Sequence, residues 1–292
     1  MKMITKLIGL YLNILALIAP KKAGMVGFKL FCYPFRGKIT ERHHQFFKTA
    51  NRFTIQHENE TIQVYKWGNG VKNILLLHGW QSHTYRWKSY VELLDKNEYT
   101  IYSIDAPGHG QSTGRFMTVP VYSGVVQKLI LTIGSLHAVV GHSLGGFVAL
   151  YTFHNYPVMA PGKLVSLASP GKATEFFDFY KMKLGLSEKC VKLIVNRFEE
   201  IVKKSPSYFS ASDFANSITF QGLIIHDEED DETSVESSKA IHQSWKNSIL
   251  VLTKGKGHNL KSSEVIHGVI DFINQPNNNE TVKESLQKIS LN

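Results

Sequence analysis

The sequence predicts an α/β fold, a mostly parallel sheet with covering helices. Three observations predict it. From residue 53 onward, short apolar runs alternate with longer helical stretches, the pattern of a parallel sheet whose strands are separated by crossover helices. Apolar residues make up 43% of the chain and charged residues 20%, proportions that suit a buried core and exclude a disordered chain. At 292 residues the chain can bury that core as one large α/β unit.

The elements follow in order. Residues 53–57 and 61–67 read as the strands of an N-terminal hairpin, with Asn59 near its turn. Residues 73–77 are a continuous apolar strand, and a helix follows near 87–94. A strand at 100–104, a helix at 119–134 and a strand at 137–141 come next. The helix at 144–156 ends before Pro157, and 164–168 is another strand. Residues 171–218 then break the alternation with two helices, 176–184 and 188–203, rich in Phe, Tyr and Lys. Alternation resumes with the strand 222–226, a helix at 235–245, the strand 249–252 and a helix at 262–273. Residues 276–292 read as a polar tail with one weak helical stretch at 282–289.

Charge is concentrated at the start. Residues 1–57 hold ten Lys or Arg and one acid, Glu41, while the rest of the chain holds 23 of each sign, so the whole net charge of +9 sits in that segment. A nucleic-acid-binding face would spread its charge over the fold, so no nucleic-acid partner is expected. Residues 1–52 read as a basic leader ahead of a domain at 53–275. Within it, residues 7–19 are apolar except for Asn13, a run too short to cross a bilayer as a helix. Lys2 and Lys6 ahead of the run fit a signal peptide, but Pro20, Lys21 and Lys22 follow it directly and no small-residue cleavage pair is present. The expectation is an uncleaved helix, either at a membrane surface or docked on the domain through Leu7, Leu10, Tyr11, Ile14 and Ile18. Cys32 and Cys190 fit no metal or redox spacing, which suggests a reducing, cytoplasmic setting with membrane association through the leader as a further reading.

Three motifs carry chemistry. Gly141-His142-Ser143-Leu144-Gly145 sits where a strand ends and a helix begins. A Ser on so sharp a turn needs glycines beside it, and in return its hydroxyl is exposed at the positive end of a helix, as a nucleophile requires. His78-Gly79-Trp80 ends the strand 73–77, where Gly79 lets the Trp80 amide face Ser143 and form, with the Leu144 amide, a two-donor oxyanion hole. His78 itself is expected to brace that loop. Asp105-Ala106-Pro107-Gly108-His109-Gly110 reads as a tight structural loop. His43, His44, His83, His154 and His242 lack ligand spacing, and no phosphate or dinucleotide loop is visible, so no metal and no cofactor is expected.

In this order the three motifs resemble the α/β-hydrolase superfamily, in particular small bacterial esterases with a helical cap, over residues 60–275. The resemblance implies the rest of the site. The acid of that family stands four residues beyond a His at a strand end, which is Asp230 after His226. Asp227 stands where that family has Gly, and six acids crowd the loop, so Asp227 and Asp231 remain rivals while the others read as a solvated acidic run. The base follows the last strand, which is His258. The cap falls at 171–218, its Phe176, Phe177, Phe179, Tyr180, Phe198, Tyr208 and Phe209 either walling an apolar pocket or burying the cap. The implied activity is that of a serine esterase acting on small to medium apolar esters. A thioesterase, lipase, acyltransferase or non-catalytic receptor on the same scaffold would keep these residues. The oligomeric state is open.

Overall fold

Eight strands form where the apolar runs lie, each within two residues of its expected span. They are β1 Asn51–His57, β2 Glu60–Trp67, β3 Lys72–Leu77, β4 Tyr99–Ile104, β5 Ala138–His142, β6 Lys163–Leu167, β7 Gln221–Asp227 and β8 Ser248–Thr253. The coordinates are a computed structural model that describes residues 2–275; the polar tail expected at 276–292, with its helix at 282–289, lies outside the described residues. Helices are α1 Lys2–Ile18, α2 Pro20–Phe31, α3 Glu41–Lys48, α4 Lys88–Leu93, α5 Val119–Ile133, α6 Leu144–Asn155, α7 Ala173–Leu184, α8 Glu188–Val202, α9 Ala211–Ala215, α10 Val235–Ser244 and α11 Ser263–Asn274.

The chain forms two compact units, one of residues 34–171 and 211 onward, the other of residues 1–33 and 172–210. The first holds the whole sheet, in the order β1-β2-β4-β3-β5-β6-β7-β8. β2 is antiparallel to β1 and β4, and β3 to β8 are parallel. Every residue of β4, β5 and β6 is buried, Thr100, Ser103, Lys163 and Ser166 included, so these strands do not alternate between a buried and an exposed face. β3 lies between β4 and β5, so the chain leaves it to opposite sides. The crevice outside the C-terminal ends of β3 and β5 is where open α/β sheets hold their ligands.

The second unit is wholly helical. α1 and α2 pack with α7 and α8, inward through Leu12, Leu15 and Ala16 on α1 and Ala23 and Phe28 on α2. The helices meet closely. A Cβ on Gly9 would fall 1.8 Å from the Leu184 carbonyl oxygen, and one on Gly24 would fall 2.6 Å from that of Leu193. Asn13, the one polar side chain in the apolar run, donates to Gly185 O at 2.9 Å and accepts from Ser187 N at 2.8 Å, so it ties α1 to the turn between α7 and α8.

Three expectations are corrected here. The leader does not end at 52, because α3 and the start of β1 belong to the sheet unit. Likewise 211–218 join the sheet unit, so the inserted helical segment is 172–210. Leu7, Leu10, Tyr11, Ile14 and Ile18 do not dock; all are exposed, and α1 is seated by its other face on α7 and α8. Of the two readings of the cap aromatics, burial holds for Phe177, Phe198 and Phe209: they fill the core of the helical unit, where Phe177 stacks on Phe31 at 4.4 Å and Phe198 meets Phe28 edge-on at 6.1 Å.

Candidate active site

β5 ends at His142 and α6 begins at Leu144, leaving Ser143 alone on the turn with φ +51° and ψ −123°. A non-glycine residue there is strained by roughly 1–3 kcal/mol and persists only where its surroundings hold it. They do so on both sides: the Ser143 amide donates to Leu167 O at 2.7 Å, and its carbonyl accepts from Gly146 and Phe147 at 3.0 and 3.2 Å. Side chains are excluded around the turn. A Cβ on Gly145 would lie 2.2 Å from Leu77 O, and one on Gly141 would lie 2.5 Å from Gly146 Cα. Ser143 itself is half-buried.

The loop after β3 lies against this turn, with a Cβ on Gly79 placed 3.0 Å from Ser143 Cβ. Two buried histidines fix its peptides. His78 donates from Nδ1 to Gly79 O at 2.7 Å and accepts at Nε2 from Ala106 N at 2.9 Å. His109 donates from Nδ1 to Pro107 O and accepts at Nε2 from Gln81 N at 3.1 Å. Gly79 C=O and Trp80 N–H share one trans peptide and point in opposite directions. Pinning the carbonyl therefore aims the Trp80 amide. Among the described residues, no hydrogen bond of the fold uses the Trp80 or Leu144 amide. Burial, the largest cause, pushes both His78 and His109 down to about 3, which suits neutral braces and not proton carriers. Asp105 is also structural, accepting from Thr84 N at 2.8 Å, Gln111 N at 2.8 Å and the Tyr65 hydroxyl at 2.9 Å.

His258, in the loop after β8, donates from Nδ1 to Asp230 Oδ2 at 2.8 Å. The Asp230 side chain is fully buried. Its Oδ1 accepts from Glu232 N at 2.8 Å and Thr233 N at 3.0 Å, and His226 Nε2 lies 3.2 Å from Oδ2. Burial would raise the pKa of this carboxyl. The hydrogen bonds from His226, His258 and the two amides outweigh burial and hold it well below the usual carboxylate range. Asp231 is exposed.

Comparison with known proteins bears on the fold that carries these residues. A family model described as "Serine aminopeptidase, S33" matches residues 69–210, which include Ser143. A putative lipase from Acinetobacter baumannii AYE superposes with a TM-score of 0.63 at 18% identity, covering 85% of this chain and 98% of the lipase. The chain has the α/β-hydrolase fold. Among curated relatives, a serine hydrolase-like protein of Danio rerio is 30% identical over 40% of this chain. A pimeloyl-[acyl-carrier protein] methyl ester esterase of Edwardsiella ictaluri is 29% identical over 35% of it. The matches span only 37% and 39% of those relatives' lengths.

The hydrolase scaffold also shows what sequence reasoning missed. Asp227, a rival for the acid in the sequence, is fully buried, its Oδ2 accepting from Thr253 Oγ1 at 2.7 Å and Lys256 N at 2.8 Å. It thereby fastens the end of β7 to the loop that carries His258. His142, the variable position of the Ser motif, donates from Nε2 to the His258 carbonyl at 2.8 Å and joins the Ser143 turn directly to that loop. Arg86 donates to Asn259 O at 2.6 Å from the other side. Glu232 stands exposed, 3.7 Å from His258 Nε2. Among the described residues, no cluster of three or more His, Cys, Asp or Glu is disposed to hold a metal ion.

Proposed function

We propose that this α/β-hydrolase cleaves carboxylic esters through a covalent acyl-enzyme, with Ser143 as nucleophile, His258 as base and Asp230 as acid. One observation carries the reading: the 2.8 Å bond from His258 Nδ1 to a buried, ionised Asp230. An ionised carboxylate can only accept, so Nδ1 keeps its proton and a neutral His258 has a bare Nε2. Nε2 takes the Ser143 hydroxyl proton as Oγ bonds to the ester carbonyl carbon. The amides of Trp80 and Leu144 receive the oxyanion, and the orientation that His78 imposes on Trp80 is in place before any charge develops. Collapse expels the alcohol, which takes the proton from Nε2. Water, deprotonated by the same nitrogen, then releases the acid and restores Ser143.

The ester class is supported by the relative named as a methyl ester esterase, and we read the acyl group as apolar and small to medium in size. The test is hydrolysis of p-nitrophenyl esters of graded chain length, beside the matching acyl thioesters. Esters should be turned over fastest, and Ser143→Ala should lower kcat by at least about 10⁴-fold. Faster thioester turnover would move the substrate class while keeping the residues. A Ser143→Ala variant within about tenfold of wild type (~1.4 kcal/mol) would remove Ser143 from the reaction.

A further inference from the structure

We infer that the outer face of α1 is a docking surface for an anionic lipid membrane, on which this protein lies without crossing it. The inference goes beyond ester hydrolysis and does not depend on it. Ile4, Leu7, Leu10, Ile14, Leu17 and Ile18 are between 49% and 76% exposed. Their spacing of three and four residues puts them in one stripe along the helix, an arc of roughly 140°. Large apolar side chains grouped in this way on a surface mark an interaction site.

Folding of the helix does not need that stripe. α1 is seated through Leu12, Leu15 and Ala16, through the close approach of Gly9 to Leu184 and through the two hydrogen bonds of Asn13. The outer face is therefore presented on a preformed helix, and docking it costs no ordering of chain.

Charge decides the occupant. The helical unit, residues 1–33 and 172–210, holds thirteen Lys or Arg and five Asp or Glu, so it carries +8 of the chain's +9. In residues 1–33 there are five Lys and no acid, and Lys6, Lys21, Lys22 and Lys29 are all exposed. A second copy brought onto the stripe would oppose one such charge with another. A surface of anionic headgroups instead gains from the lysines while the stripe enters the acyl boundary.

Length decides the posture. Seventeen residues rise about 25 Å, short of the roughly 30 Å of a hydrocarbon core. Among the described residues, no helix is long and apolar enough to cross a membrane.

The test uses the full chain and sedimentation with vesicles of equimolar phosphatidylglycerol and phosphatidylcholine, beside vesicles of phosphatidylcholine alone. The protein should pellet with the anionic vesicles, at least about tenfold more weakly with the neutral ones, and less as salt is raised. The double substitution Leu10→Glu with Ile14→Glu should cut binding to anionic vesicles at least about tenfold and leave thermal unfolding as in wild type. Leu7→Trp should emit at shorter wavelength when anionic vesicles are added. A full chain that stays in the supernatant overturns the inference, as does a double variant that pellets like wild type. So does a dimer that the double variant splits, together with Leu7→Trp emission that vesicles leave unmoved, because the stripe would then belong to a second copy.

Discussion

Asp227 and Asp230 stand three residues apart in one loop, both with buried carboxylates, and they do different work. Asp230 faces His258 Nδ1, whereas Asp227 faces the Thr253 hydroxyl and the Lys256 amide. Asp230→Asn lets the amide nitrogen compete for the His258 bond and frees the wrong tautomer, so kcat should fall by about 10⁴-fold with the fold intact. Asp227→Asn turns a group that only accepts, from Thr253 Oγ1, Lys256 N and Glu229 N, into one that also donates. It should cost about 1–3 kcal/mol in chemical unfolding and lower activity by loosening the His258 loop. Asp231→Asn should match wild type in both measurements. An Asp227→Asn enzyme as stable and active as wild type would remove the bracing role. The offset from His226 made Asp230 legible in the sequence. Nothing in a run of six acids shows which carboxylate is turned inward to collect amides, so the sequence leaves Asp227 only as a rival for the acid and gives no sign of its bracing role. His142 was hidden for a similar reason, since the motif fixes its neighbours and leaves its own position open.

Strands were the most legible elements because each is a short, mostly apolar run bounded by polar loop residues, and β4, β5 and β6 are buried on both faces. Short elements such as α9, five residues long, give too little periodicity to be seen. α1 misled for a more specific physical reason. It is apolar around nearly its whole circumference, so periodicity shows that it is a helix and leaves open which face docks. The better signal was Gly9 and Gly24, which mark where backbones approach. At an ordinary helix position Gly→Ala stabilises by up to about 1 kcal/mol. At Gly9 the new methyl would strike the Leu184 carbonyl oxygen, and overpacking of that kind costs about 1–3 kcal/mol. Gly9→Ala should therefore lower the unfolding midpoint and speed tryptic cleavage at Lys21 and Lys22. A stabilised variant would show that α1 does not sit on α7 as described.

The whole molecule joins two units that local pattern could not have assembled, because residues 1–33 and 172–210 are far apart in sequence and share one core. The charge asymmetry was legible; the partner of the basic segment was not. In the sheet unit, the groups that hold the site also make stability depend on pH. His78 and His109 have folded-state values of about 3 against 6.5 for a free imidazole, so the unfolded chain binds more protons between those limits. Their contribution is complete above about pH 6.5 and is lost as pH falls toward 3. Asp230 acts in the same direction: its lowered pKa gives stability that is present above about pH 4 and lost below it. The thermal midpoint should thus drop steadily from pH 6.5 downward, and a midpoint flat between pH 6.5 and 4.5 would contradict buried neutral histidines. The central claim is that one serine, held on a strained turn, is activated by a histidine whose tautomer a buried carboxylate fixes. Labelling the purified chain with a fluorophosphonate and mapping the adduct by peptide mass spectrometry tests that claim most directly. The adduct should sit on Ser143, be absent from Ser143→Ala, and form at least about a hundredfold more slowly in Asp230→Asn. An unlabelled wild type, or an adduct on another residue, would contradict it.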